Sequence, residues 1–388
     1  MVRTVVIASV FVGAACVAIP PYEIASGVAW HDEPTTGGGI ASGSNFTIHF
    51  AGAANGFHYP DSIRLNDAEL IGHSNNAYCG SEDELGVALY PSGRISPHTL
   101  TSSGTNQIGG QLFGPAIAKA EIGWDDQLTC AERQPTGYSS FTVFPDGKIV
   151  RFDELDDSDG ASAPASACHC GTLPTNDPWR VTSFYTIDPT MFTSYGAAMD
   201  PLPVGGPAGT VQCVAGPSGA LAVAWPAATT RIASPTPSST AFVYDFRVEG
   251  LDLGPLMSAQ YSVTSAMFLG TTDCASLASR TADFLSNEQL TVDGGKIDIA
   301  VDGIYGGGAS NTNLGITAGD RVVIEGPKSG SFAVRLSWDA AFDVPPRVTN
   351  SVGYTDAWYI PQRISDHEML YWFRDPLLLS QTITIERR

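Results

Sequence analysis

The sequence is short of positive charge. Acidic residues outnumber basic ones 40 to 20, and no run of Lys or Arg offsets a formal charge of −20. A field of that sign repels nucleic acid and anionic membranes, so nucleic acid is not an expected partner. Its plainest role is solubility. Charge of either sign is sparse, at 15% of residues, whereas Gly (41) and Pro (26) are abundant, as in a turn-rich β protein. Sustained 3.6-residue periodicity with caps is missing. The best helical stretch is Ser276 to Ser286, and it is short. Also missing are a GxSxG elbow, an HExxH helix, a phosphate loop and a dinucleotide fingerprint, so the enzyme classes they mark are not indicated. No cofactor is expected, with calcium the one candidate ion.

The N-terminus reads as an export signal. Arg3 is the only charge in a short leading region, and Val5 to Ala18 is apolar but too brief to span a bilayer. Two processing readings stay open. A signal peptide, 1–18, is cleaved after Ala18. Alternatively Val12-Gly13-Ala14-Ala15-Cys16 resembles a bacterial lipobox, with Gly13 where Leu is usual and Cys16 as the lipidated residue. Either way the expected location is secreted or outer-surface lipoprotein of the bacterial envelope, touching a membrane only through that anchor. Setting Cys16 aside, the cysteines are even in number, which favours disulfides in an oxidising compartment. Cys79 with Cys130 is the expected pair, since the two lie in one half of the chain and flank a hairpin. Cys168-His169-Cys170 is too tightly spaced for a zinc pattern.

Turn chemistry organises the rest. In Gly137 to Asp153 two β-prone runs flank Pro145-Asp146-Gly147; proline presets φ, Asp bonds its own backbone and Gly accepts φ > 0. That predicts a β-hairpin. The same grammar recurs at Leu85 to Ser96 and Thr210 to Trp225, and Asp293-Gly294-Gly295-Lys296 predicts another turn. Phe46, Ile48 and Phe50 alternate with Thr47 and His49, which places His49 on the solvent side of a strand. Short strands, Gly/Pro turns and little helix argue for an all-β, antiparallel β-sandwich, jelly-roll-like or extended. Two β domains are expected, 44–226 and 241–388, after a flexible tether 19–43 and joined by a Pro/Ser-rich linker 227–240.

Functional side chains are densest near the C-terminus. Trp358, Tyr359 and Trp372 offer faces for a sugar ring. His367 and Tyr371 are candidate proton carriers, and Arg363 or Arg374 would neutralise a substrate carboxylate. That set suits β-elimination on a uronic-acid polymer; the competing reading makes the aromatics sheet core. His73 and Asn76 lie in a second candidate binding loop beside Cys79. Asp153, Asp156, Asp157 and Asp159 form an acidic loop and a candidate calcium site, although Leu155 breaks the ligand alternation that an EF-hand requires. The chain resembles exported bacterial all-β proteins that handle polysaccharide. The expected function is a carbohydrate-active or carbohydrate-binding protein, as lyase, hydrolase or binder, with a polysaccharide or cell-surface glycan as partner. The alternative is a non-catalytic surface adhesion or structural protein.

Overall fold

The structure, a computed structural model, describes residues 27–35, 37–50, 60–70, 85–91, 98–99, 108–125, 136–157, 179–187, 194–195, 210–225, 231–237, 242–247, 259–271, 273–285, 290–293, 321–353 and 358–387. Within them the chain is an antiparallel all-β sandwich of stacked sheets with one short helix. A five-stranded meander runs in chain order: β1 (Ala29–Glu33), β2 (Gly38–Ser42), β3 (Phe46–Phe50), β4 (Pro60–Leu65) and β5 (Ala68–Glu69). An eight-stranded sheet has the order β13 (Ser194–Tyr195), β14 (Thr210–Gly216), β15 (Gly219–Trp225), β18 (Ala259–Gly270), β11 (Lys148–Asp157), β10 (Thr136–Val143), β9 (Ala118–Asp125), β8 (Ile108–Phe113). A second five-stranded sheet joins β16 (Arg231–Pro237), β17 (Phe242–Arg247), β12 (Trp179–Ile187), β6 (Leu85–Pro91) and β7 (His98–Thr99). Near the C-terminus, β19 (Thr291–Asp293), β20 (Arg321–Glu325), β25 (Thr382–Glu386) and β22 (Arg347–Asn350) form a four-stranded sheet. The last sheet is three-stranded: β21 (Phe332–Ser337), β24 (Glu368–Phe373) and β23 (Tyr359–Arg363).

The hairpins follow their turn residues. β10 and β11 close with Val143 opposite Ile149. The Gly147 amide bonds the Phe144 carbonyl (3.0 Å), Gly147 sits at φ +80°, and Asp146 Oδ1 accepts from the Lys148 amide (3.2 Å). β14 and β15 pair from Thr210↔Trp225 to Gly216↔Gly219 around Pro217-Ser218. β6 pairs with β7, which lies just past the expected Leu85–Ser96 hairpin, and residues 92–97 between them, like Gly294 to Lys296, lie outside the described residues. The expected helix appears as a 3₁₀ turn, Cys274–Leu277, running into α1 (Ala278–Leu285); Asp273 Oδ1 caps it by accepting from the Ser276 amide (3.0 Å). A disulfide joins Cys213 of β14 to Cys274. Cys79, Cys130 and Cys16 lie outside the described residues.

Four expectations are corrected. The stretch 19–43 is not a flexible tether where it is described: it carries β1 and β2, which pair with each other and with β3. The stretch 227–240 is not a bare linker: it carries β16, whose Pro235 and Pro237 suit an edge strand, paired to β17. Nor do the sheets divide there, because β18 from beyond it pairs with both β11 and β15. The acidic run is not a loop through its length either, since β11 continues to Asp157 and carries Asp153 and Asp156.

Layering explains the C-terminal sequence. On one side of the eight-stranded sheet, Phe141 meets Phe50 of the meander edge-on, 5.9 Å between ring centroids, and Trp30 stacks on Phe113 at 4.1 Å. On the other side, Val150, Ala222, Ala266 and Phe268 pack with α1 and with Ile360, Leu370 and Trp372 of the three-stranded sheet. The opposite face of that small sheet, with Val334, Met369, Tyr371 and Phe373, packs on Val322, Ile324, Ile383 and Ile385 of the four-stranded sheet. β24 is therefore buried on both faces, and its apolar run lacks alternation for that reason. Polar bonds pin the layers: buried Lys148 donates to the Ser331 carbonyl (2.8 Å), and buried Lys328 donates to both Asp283 oxygens (2.9 and 3.0 Å). Gln362 of β23 bridges to the eight-stranded sheet, its Oε1 accepting from the amides of Ala116 and Ile117 (3.1 Å each).

Candidate functional site

The C-terminal cluster does not assemble as one site. Arg363 and His367 sit together at the β23–β24 turn. Tyr371 lies four residues along from His367, about 13 Å in an extended chain. Arg374 lies past the far end of β24, where its amide bonds the Trp358 carbonyl (2.9 Å) and its guanidinium meets Asp375. Tyr371 is only 1% exposed, inside the core between the two small sheets, and its hydroxyl has no partner among the described residues. Burial first, and Tyr359 second, hold its phenol far above the usual tyrosine range. A hydroxyl so placed neither reaches substrate nor titrates in water, which removes Tyr371 from the acid/base set. Trp358 stacks on Phe373 in the same core (5.3 Å), and Trp372 is buried on the opposite face, so neither is a sugar platform. Tyr359 is half-buried between them and the surface. His73 and Asn76 lie outside the described residues.

These placements give a direct test. Tyr371→Phe should leave the unfolding midpoint unchanged or slightly raised in a denaturant titration, because it removes an orphaned hydroxyl and keeps the ring. A loss of more than about 1 kcal/mol would mean that the hydroxyl is paired.

What remains at the surface is polar and held by backbone. Arg363 Nη2 donates to Asp366 Oδ1 (2.7 Å) and to the Phe342 carbonyl (3.1 Å), with its guanidinium over the Phe342 ring at 5.0 Å. His367 Nδ1 lies 3.1 Å from the Trp338 carbonyl oxygen. Beside them Arg335 Nη2 donates to Glu368 Oε2 at 2.7 Å. The β23–β24 turn thus presents planar donors and acceptors on a hairpin that the two cores hold rigid.

The calcium reading fails at Asp153. Its side chain is fully buried on β11, where Oδ1 accepts from Ser139 Oγ (2.5 Å) and Oδ2 lies 2.8 Å from Arg151 Nε. That last contact is too bent for a directed hydrogen bond, so its attraction is ionic. A carboxylate already matched by a buried guanidinium is not on offer to an ion. Asp156 and Asp157 lie on β11 rather than in a loop, and Asp159 lies outside the described residues. No group of three side chains among the described residues is arranged to hold a metal.

A different constellation, absent from the sequence reading, forms on the outer face of the meander. His49 of β3 stands between two carboxylates: Nε2 lies 3.1 Å from Glu33 Oε2, and Nδ1 contacts Asp61 Oδ1. A β-bulge supplies Asp61. The register passes from His49↔Ser62 to Phe50↔Pro60, and Asp61 is the extra residue, re-aimed by the bend. A bare position helps Glu33 reach across, because its partner on β2 is Gly38. Glu69 of β5 closes the patch, accepting from Ser62 Oγ (2.5 Å) and the Ile63 amide (3.0 Å). Burial alone would lower the His49 pKa, but hydrogen bonds to Glu33 and Asp61 and their charges outweigh it and raise the imidazole above its usual value. Both ring nitrogens of His49 thus face carboxylates, an arrangement that favours the imidazolium and leaves neither nitrogen open to a metal. Alternation alone put His49 on the polar face; its partners come from distant strands, and the only local signal was Asp61 just after proline.

A scan of the sequence against protein families finds no match, and a search of curated proteins finds none. Among solved structures the chain is similar to a heparan sulfate lyase from Pedobacter heparinus, with TM-score 0.38 and 7% identity over 77% of this chain and 41% of that one. It is similar to the galactosidase domain of an alpha-galactosidase-sucrose kinase, with TM-score 0.36 and 9% identity over 66% of this chain and 44% of that one. A heparinase III follows at TM-score 0.32 and 8% identity, over 78% and 39%. The chain spans about two fifths of the length of these structures.

Proposed function

We propose that this chain is an exported, non-cleaving carbohydrate-binding protein of the bacterial cell surface. One observation carries the reading: the aromatic members of the C-terminal cluster are core, while Arg363, Asp366 and His367 stay on an exposed, rigid turn. Planar hydrogen-bonding groups of that kind match vicinal sugar hydroxyls, and His367, Tyr371 and Arg374 lie too far apart to act together in an elimination. Export is supported by the N-terminal apolar segment and by the Cys213–Cys274 disulfide, which suits an oxidising compartment. Acylation at Cys16 would place the protein at the envelope surface.

The test is an incubation of the mature protein with neutral and uronic-acid polysaccharides, with binding by calorimetry and cleavage by reducing ends and ultraviolet absorbance. Binding without new ends is expected, with affinity reduced about tenfold in Arg363→Ala, the weight of one charge-assisted hydrogen bond lost. New reducing ends would overturn the non-cleaving reading. A folded protein silent across the panel would favour the adhesion or structural alternative.

A further inference from the structure

We propose that edge strand β1 is latched to the meander by protonated His49, whose two ring nitrogens donate to the carboxylates of Glu33 and Asp61. β1 is a sheet edge with β2 as its hydrogen-bonded neighbour. On the outer face β2 contributes Gly38, Ile40 and Ser42, none of them charged, so the ionic tie from β1 passes over β2 to His49 on β3. The charged and titratable groups facing this patch, among the described residues, are His31 and Glu33 on β1, Asp61 and Arg64 on β4 and Glu69 on β5. Arg64 donates to the Asp67 carbonyl (2.6 Å), and Glu69 is engaged by Ser62 and Ile63.

The chemistry turns on hydrogen count. Imidazolium has two N–H donors and serves both carboxylates. Neutral imidazole has one, so it keeps one carboxylate and turns a lone pair toward the other. Asp61 rides on β4, an inner strand of the meander, and its neighbours Pro60 and Ser62 both pair with β3. Glu33 rides on an edge strand, and the strain is relieved there. β1 also carries Trp30, whose indole stacks on Phe113 of the eight-stranded sheet and donates to Asp32 Oδ1 (2.7 Å). Loosening β1 therefore loosens one contact between the two layers. Because folding raises the imidazole pKa, the latch is fully closed below the unfolded value of about 6.5 and opens as pH rises through the folded value.

The experiment is hydrogen exchange by mass spectrometry at pH 6 and pH 9, corrected for intrinsic rates, on peptides covering 29–33. Wild type should lose protection in β1 by about tenfold at the higher pH, with β10 and β11 unchanged. His49→Gln should show low, pH-independent protection, while His31→Gln should keep the wild-type response. Glu33→Gln, which leaves His49 in place, should blunt it and serves if His49→Gln does not fold. Equal β1 protection at the two pH values in wild type, or a wild-type response in Glu33→Gln, would overturn the latch.

Discussion

Asp153→Ala should lower the unfolding free energy by about 3–5 kcal/mol, measured by urea titration. The substitution removes, from a site with no solvent exposure, the carboxylate that lies 2.8 Å from Arg151 Nε and accepts from Ser139 Oγ. The expense is that of breaking a buried ion pair from one side and does not measure what the intact pair contributes. Replacing both partners, as Arg151→Met with Asp153→Leu, should recover most of the loss, because an apolar pair of similar volume avoids desolvation altogether. A loss below about 1 kcal/mol in the single variant would mean that solvent reaches Arg151.

Gln362→Leu should cost about 2–5 kcal/mol, since two buried backbone donors lose their acceptor at once. Its side-chain oxygen serves the amides of Ala116 and Ile117, which follow the Gly114-Pro115 bend between β8 and β9. Those two amides should also exchange with solvent much faster in the variant, a readout that simple loss of packing around residue 362 would not produce. If they keep their protection, another acceptor serves them.

The parts of this molecule that were legible in the sequence are the parts that local chemistry decides. Pro145-Asp146-Gly147 specified its hairpin because φ preferences and a two-residue Asp bond suffice for that turn. The helix falls within the stretch Ser276 to Ser286 that the sequence singled out, and the Asp273 cap ahead of it is a finding of the structure. What could not be read depends on partners far along the chain. The Glu368–Phe373 run reads equally well as a half-exposed aromatic strand or as one buried twice, and only the arrival of β25 on one side and β18 on the other decides it. Asp153 looked solvated because it opens an acidic run; its register opposite Ser139 and its proximity to Arg151 turn it inward. Glu33 and Asp61 meet His49 through strand register, to which spacing along the chain gives no clue. The linker expectation failed because proline marks both a linker and a sheet edge.

The position of β18 has a consequence for how the chain reaches its native state. β11 and β15 are not neighbours; β18 is inserted between them, pairing Lys148 with Phe268 on one edge and Ala220 with Gly270 on the other. Until residue 270 emerges, the growing chain carries two open strand edges that have nothing of their own to close them. Such edges are templates for another chain, and contacts so distant in sequence form slowly. A fragment ending at residues 227–240 should therefore associate with copies of itself rather than fold alone. The full chain, for the same reason, stays unsealed until most of it has been made, which is the state in which a polypeptide can still be threaded through a narrow pore.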